Sequence, residues 1–238
     1  MRISKLTIRA YQCPRSKSIE MRPFRAQERL GAVVSAHGYS SQDYVVMNGV
    51  RSVSVGSGPD GDHLVYVADM HKHRIQVFKK EDGTFVRTIG TTGQSGSGND
   101  RFNDPCGVHV DGHMVYVADT GNRRIQVLKN DGTFVRTVDR EFAAPRSVCV
   151  DSGPDGSRLY VTDTFNNQVL VLKEDDTLVH AYGAGDDDDS DDDESGEWWS
   201  GIDQLHEPSG VAVESRPDGF VYVADKHNGR VVVFLKQY

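Results

Sequence analysis

Residues 115–128 read VYVADTGNRRIQVL. The stretch contains two short apolar runs that are rich in β-branched residues, which favour strands. Between the runs lies a polar turn that begins at Asp119 and ends at Arg124. The pattern predicts a β-hairpin with a short polar turn between two buried strands.

This hairpin pattern occurs four times in the 238-residue chain. In each copy an Asp ends the first run, and five residues later an Arg, or once a Gln, opens the second. The marker pairs are Asp69 with Arg74, Asp119 with Arg124, Asp163 with Gln168 and Asp225 with Arg230. Once the linkers between copies are removed, the repeat length is close to forty residues, a period typical of repeat architectures.

Each repeat also has a strand-like run before the hairpin, and the first three have another after it. Four antiparallel strands per repeat make one blade of a β-propeller. The sequence therefore predicts an all-β fold, a β-propeller of four-stranded antiparallel blades, with four blades in this chain. We place the blades at about 47–90, 102–139, 142–183 and 205–238, with an acidic linker at 184–204.

The last repeat ends after its third strand. Residues 30–38 align without a gap on residues 82–90, which contain the outer strand of the first blade. We expect residues 30–38 to pair with Val231–Phe234 and to remove the exposed edge, so that the propeller spans 30–238. The sequence leaves open whether the blades form a closed ring, an open arc that self-associates, or part of a larger propeller.

The stretch Asp119–Val127, together with Pro105–Val108 before it, resembles the signature of the NHL repeat. The resemblance covers residues 47–238 and departs from the pattern at Lys72 and Gln168. It implies a propeller that acts as an interaction platform. Some members of that family carry RING and B-box modules in ubiquitin ligases, some bind RNA on a basic face, and more distant relatives are zinc-dependent amidating lyases.

Antiparallel strands place the marker turns and the linkers between blades at one end of the propeller, here called the loop face. We expect the marker Asp and Arg residues to hold these turns, and the Asn and Gly residues to adopt positive φ there. The other polar side chains of three turns are candidate partner contacts. They are His71, Lys72, His73, Asn122, Arg123, Lys226, His227 and Asn228.

Histidines on the loop face raise the alternative of a zinc enzyme. His71, His73 and His227 could present imidazoles to a metal, but the sequence offers no third ligand with a base beside it. Cys106 and Cys149 follow strand patterns that predict buried thiols. The sequence therefore predicts no catalytic residue, no metal and no cofactor, and it keeps an amidating lyase as an alternative.

The net charge of −8 is unevenly distributed. Residues 1–29 hold eight basic and two acidic residues, and we expect them to form a disordered basic arm. Residues 186–194 hold eight acidic residues, a solvated tract that could compete with an anionic ligand for the loop face. The sequence predicts neither DNA binding nor a membrane span.

These observations favour a non-catalytic platform that binds a protein partner. Single-stranded RNA binding and the substrate-recognition part of a ubiquitin ligase assembly are alternatives. We expect a cytoplasmic location, because three widely spaced cysteines do not form a disulfide framework. A mitochondrial location is the alternative, since no acidic residue precedes Glu20.

Overall fold

The structure is a computed structural model that describes residues 8–9, 47–153, 156–183, 204–216 and 218–237. The described residues form four antiparallel four-stranded sheets. The first sheet contains β2 (Val50–Ser57), β3 (His63–Asp69), β4 (Arg74–Lys79) and β5 (Phe85–Ile89). The second contains β6 (Pro105–Asp111), β7 (Met114–Asp119), β8 (Arg124–Lys129) and β9 (Phe134–Val138). The third contains β10 (Pro145–Gly153), β11 (Gly156–Asp163), β12 (Gln168–Lys173) and β13 (Leu178–Tyr182). The fourth contains β14 (Pro208–Val213), β15 (Phe220–Asp225), β16 (Arg230–Leu235) and β1 (Ile8–Arg9).

The strands of each sheet follow one another in chain order, apart from β1 at the edge of the last sheet. The four sheets are arranged as the blades of a β-propeller, so the predicted fold class is confirmed. No helix in the described part of the chain has the length and the apolar character needed to cross a bilayer.

The first strand of each blade has the same irregularity. Three of these strands begin with a proline, as at Pro105, and all four shift register directly afterwards, as between Pro105 and Gly107. Proline has no N–H to donate and is tolerated at the first residue of a strand. The register shift at the start of the first strand is therefore a structural feature that all four blades share.

The core consists of layers of side chains between successive blades. Between the first two blades, Tyr66 and Val77 pack with Val108 and Val117. Equivalent clusters join the second blade to the third and the third to the fourth. Because an inner blade contacts a neighbour on each side, its second strand is buried on both faces, as its continuous apolar sequence predicts.

The segment predicted to complete the last blade, residues 30–38, lies outside the described residues. The strand beside β16 is β1, with Ile8 opposite Val231 and Arg9 opposite Arg230. An N-terminal strand thus completes the blade, as expected, but these two residues come from the stretch predicted to be a disordered arm. The alternation of Leu6-Thr7-Ile8-Arg9 matches the period of a strand, and the basic charge of the arm obscured it.

Completing the last blade does not close the ring. The first strands of neighbouring blades pack in three pairs, β2 with β6, β6 with β10, and β10 with β14, whereas β2 and β14 do not form a fourth such pair. Pairing at a strand edge satisfies backbone hydrogen bonds, but closure requires two sheets to pack face to face. Over the described residues, the outward faces of the first and last blades are not joined.

Candidate functional site

The marker turns on the loop face share one backbone shape in the first three blades. A single 3₁₀ turn follows the Asp and ends in a left-handed residue, namely His73, Arg123 or Asn167, with φ of 53°, 55° and 54°. Of the Asn and Gly residues expected to adopt positive φ, Asn167 and Gly229 do so in the third and fourth turns, whereas in the second turn Arg123 adopts it in place of Gly121 or Asn122. Such a residue costs about 1–2 kcal/mol unless it is Gly, so contacts must hold the turn.

The carboxylate of Asp119 supplies these contacts in the second blade. It accepts hydrogen bonds from Arg124 Nε at 2.8 Å, Asn122 Nδ2 at 2.8 Å and the backbone N–H of Asn103 at 2.6 Å. The side chain is fully buried. A buried carboxylate is stable only when it is paired and hydrogen-bonded, and Asp119 is both.

The same network fixes the linker that precedes the blade. Arg124 also donates from Nη1 to the carbonyl of Ser97 at 2.8 Å and from Nη2 to that of Gly98 at 2.9 Å. Turn and linker therefore meet on the loop face. Asp69 with Arg74 and Asp225 with Arg230 repeat the ion pair at 2.8 and 2.7 Å.

The third blade keeps the aspartate but replaces the arginine. Asp163 accepts hydrogen bonds from Asn166 Nδ2 at 2.6 Å, from Gln168 Nε2 at 3.5 Å and from the backbone N–H of Ala143 at 2.8 Å. This carboxylate is also fully buried. In this blade side-chain amides alone donate the side-chain hydrogen bonds to the marker aspartate, whereas a guanidinium also donates in the other three.

Several predicted partner contacts make hydrogen bonds within the propeller. Asn122 and Asn228 each donate to the marker aspartate of their own turn. His73 Nδ1 accepts a hydrogen bond from the backbone N–H of Asp104 and so links the first two blades. The His71 ring is exposed but lies directly over Gly49, while Lys72 is half-buried.

The remaining predicted contacts are exposed, and two of them meet other side chains. Arg123 is exposed on the second turn. Lys226 Nζ and His227 Nε2 lie 3.0 and 3.2 Å from Glu207 Oε2. Here the third and fourth blades adjoin, and the sequence prediction did not include Glu207.

An exposed aromatic ring lies close to Glu207, Lys226 and His227. Phe165, in the third turn, is 58% exposed, and the guanidinium of Arg146 lies 5.3 Å from the centroid of its ring. Arg146 Nη1 lies 3.7 Å from Glu207 Oε2, which connects the ring to Lys226 and His227. We call these five residues the junction patch: Arg146, Phe165, Glu207, Lys226 and His227.

The junction patch is electropositive around a single carboxylate. The hydrogen bond from Lys226 is the main cause that lowers the pKa of Glu207, and the charges of Lys226, His227 and Arg146 act in the same direction. Glu207 is therefore ionised at neutral pH and holds the basic side chains in one arrangement. Basic side chains around one fixed carboxylate favour a partner group that is acidic or rich in carbonyl oxygens.

Within the junction patch, the sequence pattern could have indicated Phe165. At the position of Phe165 the other turns have His71, Gly121 or His227, so a large apolar residue there serves no repeated structural purpose. Arg146 and Glu207 gave no such signal. Their contacts depend on how two blades adjoin, and the sequence pattern does not describe this.

The histidines proposed as zinc ligands are not brought together. His73 is bonded to Asp104, and His227 to Glu207. Among the described residues, no group of three or more His, Cys, Asp or Glu side chains is arranged to hold a metal. Cys106 and Cys149 are free and half-buried thiols rather than fully buried ones, and burial raises the pKa of Cys149.

Comparison with known proteins supports the resemblance drawn from the signature residues. The family model of the NHL repeat matches residues 205–234, which hold most of the last blade. This match and the propeller fold confirm the resemblance to NHL-repeat β-propellers. None of the curated protein sequences compared with the chain matches it.

Solved structures share the fold at low identity. An auxiliary nutrient binding protein from Bacteroides ovatus aligns with a TM-score of 0.54 at 17% identity, over 81% of this chain and 49% of that one. A structure of a nidogen/laminin complex aligns with a TM-score of 0.53 at 20% identity, over 80% of this chain and 66% of that one. The chain thus spans about one half to two thirds of their length.

Proposed function

We propose that the propeller is a non-catalytic platform that binds a protein partner through the junction patch. The observation that carries the proposal is the exposure of Phe165 beside Arg146 on a face where other turn residues are tied to the marker aspartates. Aromatic residues and arginine are enriched at the centres of protein interfaces. One solved structure with this fold is a complex of two proteins, nidogen and laminin.

The side chains of the junction patch are prepared for binding. The Phe165 ring is rigid and apolar, so covering it gains hydrophobic free energy at a low cost in entropy. Glu207 fixes Lys226, and it places Arg146 between the carboxylate and the ring. A partner segment that pairs an apolar side chain with an acidic one matches this arrangement.

Affinity capture with the full chain tests the proposal. We expect the parent protein to retain specific proteins from a cell extract, and the Phe165→Ala variant to lose at least about nine tenths of them, as truncation of a central aromatic does. The control is Phe85→Ala, which removes another exposed phenylalanine, on β5. Capture that survives Phe165→Ala, or that Phe85→Ala abolishes equally, contradicts the proposal.

Ribonuclease treatment separates the protein partner from RNA. Under the proposal, capture survives ribonuclease and is lost on Lys226→Ala. Capture that disappears with ribonuclease would favour single-stranded RNA binding and overturn the proposal of a protein partner.

The acidic tract at 186–194, which lies outside the described residues, can be deleted in the same assay. Tighter capture after this deletion would show that the tract masks the loop face.

A further inference from the structure

On the outward face of the first blade two valines of β2 are exposed, whereas Val67 and Phe78 of the same face are buried in a cluster with Met47. Val53 and Val55 on β2 are 62% and 51% exposed. The residues at the same positions of the second blade, Val108 and Val110, are 4% and 8% exposed because they pack against the first blade. We call the surface around Val53 and Val55 the head face.

The outward face of the last blade is its counterpart. In the first blade, the side chains that pack against the second are all fully buried: Tyr66, Ala68, Ile75 and Val77. The equivalent residues of the last blade are only half-buried: Tyr222, Ala224, Val231 and Val233. We call this second surface the tail face.

The tail face has a glycine at the position where Gly107 admits close packing between the second and third blades. A Cβ added to Gly107 of the second blade would lie 2.7 Å from the carbonyl oxygen of Arg146 in the third, so only glycine admits this neighbour. Gly210 occupies the same position in the last blade. Among the described residues, a Cβ there would meet only Ala224 of its own blade, at 3.5 Å. Within this part of the chain, no neighbouring backbone packs on Gly210 as Arg146 packs on Gly107.

Charge at the rim of the two faces is complementary. Lys236 of the last blade reaches back to Asp151 of the third, with Nζ 2.6 Å from Oδ2, and both residues are buried. By repeat position, Lys80 of the first blade corresponds to Lys236, and Glu214 of the last blade corresponds to Asp151. Lys80 is exposed, and the half-buried Glu214 accepts hydrogen bonds from Arg216 Nε at 2.6 Å and Tyr222 Oη at 2.9 Å within its own blade. If the tail face met the head face, these two would repeat the internal ion pair.

We propose that two copies of this chain associate head to tail, with the tail face of each on the head face of the other, to form one ring of eight blades. The two faces carry at equivalent positions apolar residues like those that join the internal blades, a glycine like that between the second and third, and charges like those that pair between the third and fourth. Head-to-tail contacts end only when the ring closes. Two copies are the smallest such ring, and eight blades lie within the usual range of four to eight.

The mass of the full chain in solution is the first test. Light scattering coupled to size exclusion should give twice the 26.3 kDa of one chain, and one discrete species. A monomer at concentrations of about 100 μM, far above the Kd of a stable interface, would overturn the proposal. A ladder of increasing masses would overturn closure into an eight-bladed ring.

Two variants block one face each. Val53→Glu on the head face and Val233→Glu on the tail face should each raise the dissociation constant about 100-fold, because a carboxylate would be buried without a partner. The control is Val86→Glu, an exposed valine on the outer strand β5. It should leave the mass unchanged, and circular dichroism should show that all three variants remain folded.

Mixing the blocked variants tests the head-to-tail geometry. A Val53→Glu copy retains its tail face and a Val233→Glu copy retains its head face, so the mixture should recover one interface and form a weaker dimer. Head-to-head pairing predicts instead that Val233→Glu alone stays dimeric, and this result would overturn the proposal.

Charge exchange tests the rim without an apolar substitution. Lys80→Glu and Glu214→Lys should each weaken the dimer about tenfold, and the double variant should restore it, because the pair is reformed with reversed charges. Failure of the double variant to recover affinity, in a folded protein, would contradict the assigned register. None of these readouts depends on the junction patch, so failure here leaves the proposed function standing.

Discussion

The second and third blades have the same backbone but hold their loop-face turns differently. Asp119 in the second blade is paired with a guanidinium, whereas Asp163 in the third is held by amide groups. The third turn also exposes Phe165 where the second has Gly121. The comparison shows that both turns keep a buried carboxylate acceptor, whereas the side chains beside it differ.

Removing each aspartate gives the largest expected difference between these blades. Asp119→Ala should lower the free energy of unfolding by about 3–5 kcal/mol, because a largely buried Arg124 loses its ion-pair partner. Asp163→Ala should cost only about 1–3 kcal/mol, the penalty for unsatisfied neutral donors. Urea unfolding measures both, and exposed Asp139→Ala is the control. Equal losses at the two sites would show that the guanidinium adds nothing.

A smaller effect is expected when the third blade is given the missing cation. Gln168→Arg should raise the free energy of unfolding by about 1 kcal/mol, because the planar guanidinium can donate to Asp163 as Arg124 does to Asp119. Gln168→Lys is the matched control, since an ammonium lacks the planar donor geometry of the guanidinium, and it should gain less. A loss of stability in both variants would indicate that the third turn has adapted to amides.

The smallest effect concerns pH. His109 on β6 and Cys149 on β10 occupy the same repeat position, and burial lowers the pKa of His109 and raises that of Cys149. The unfolded chain therefore takes up a proton at His109 first, below about pH 6.5. Stability should fall as pH drops through this range, and His109→Gln should reduce the slope, as measured by urea midpoints from pH 7.5 to 5.5. Exposed His113→Gln is the control, and an equal reduction there would contradict the assignment.

Much of the fold follows from the sequence because the repeat encodes local rules. Marker aspartates, prolines at strand starts and apolar second strands each predict a feature that recurs in every blade, whatever its neighbours are. The contacts of the candidate site were less predictable. His73, Asn122 and Asn228 make hydrogen bonds within the propeller, because the turn and the blade junction bring their partner atoms near. Phe165 departs from the repeat pattern and could have been identified from the sequence, whereas Arg146 and Glu207 could not.

The sequence by itself determined the four blades, their strand order and the face that carries the turns, since these depend on patterns within about forty residues. Only the tertiary structure decided which turn residues remain available, because that depends on contacts between blades that lie far apart in the chain. It also decided that, over the residues the structure describes, completing the last blade does not join it to the first. A strand edge is satisfied by two or more residues with the right alternation, but ring closure depends on the packing of whole sheet faces, which no single repeat specifies.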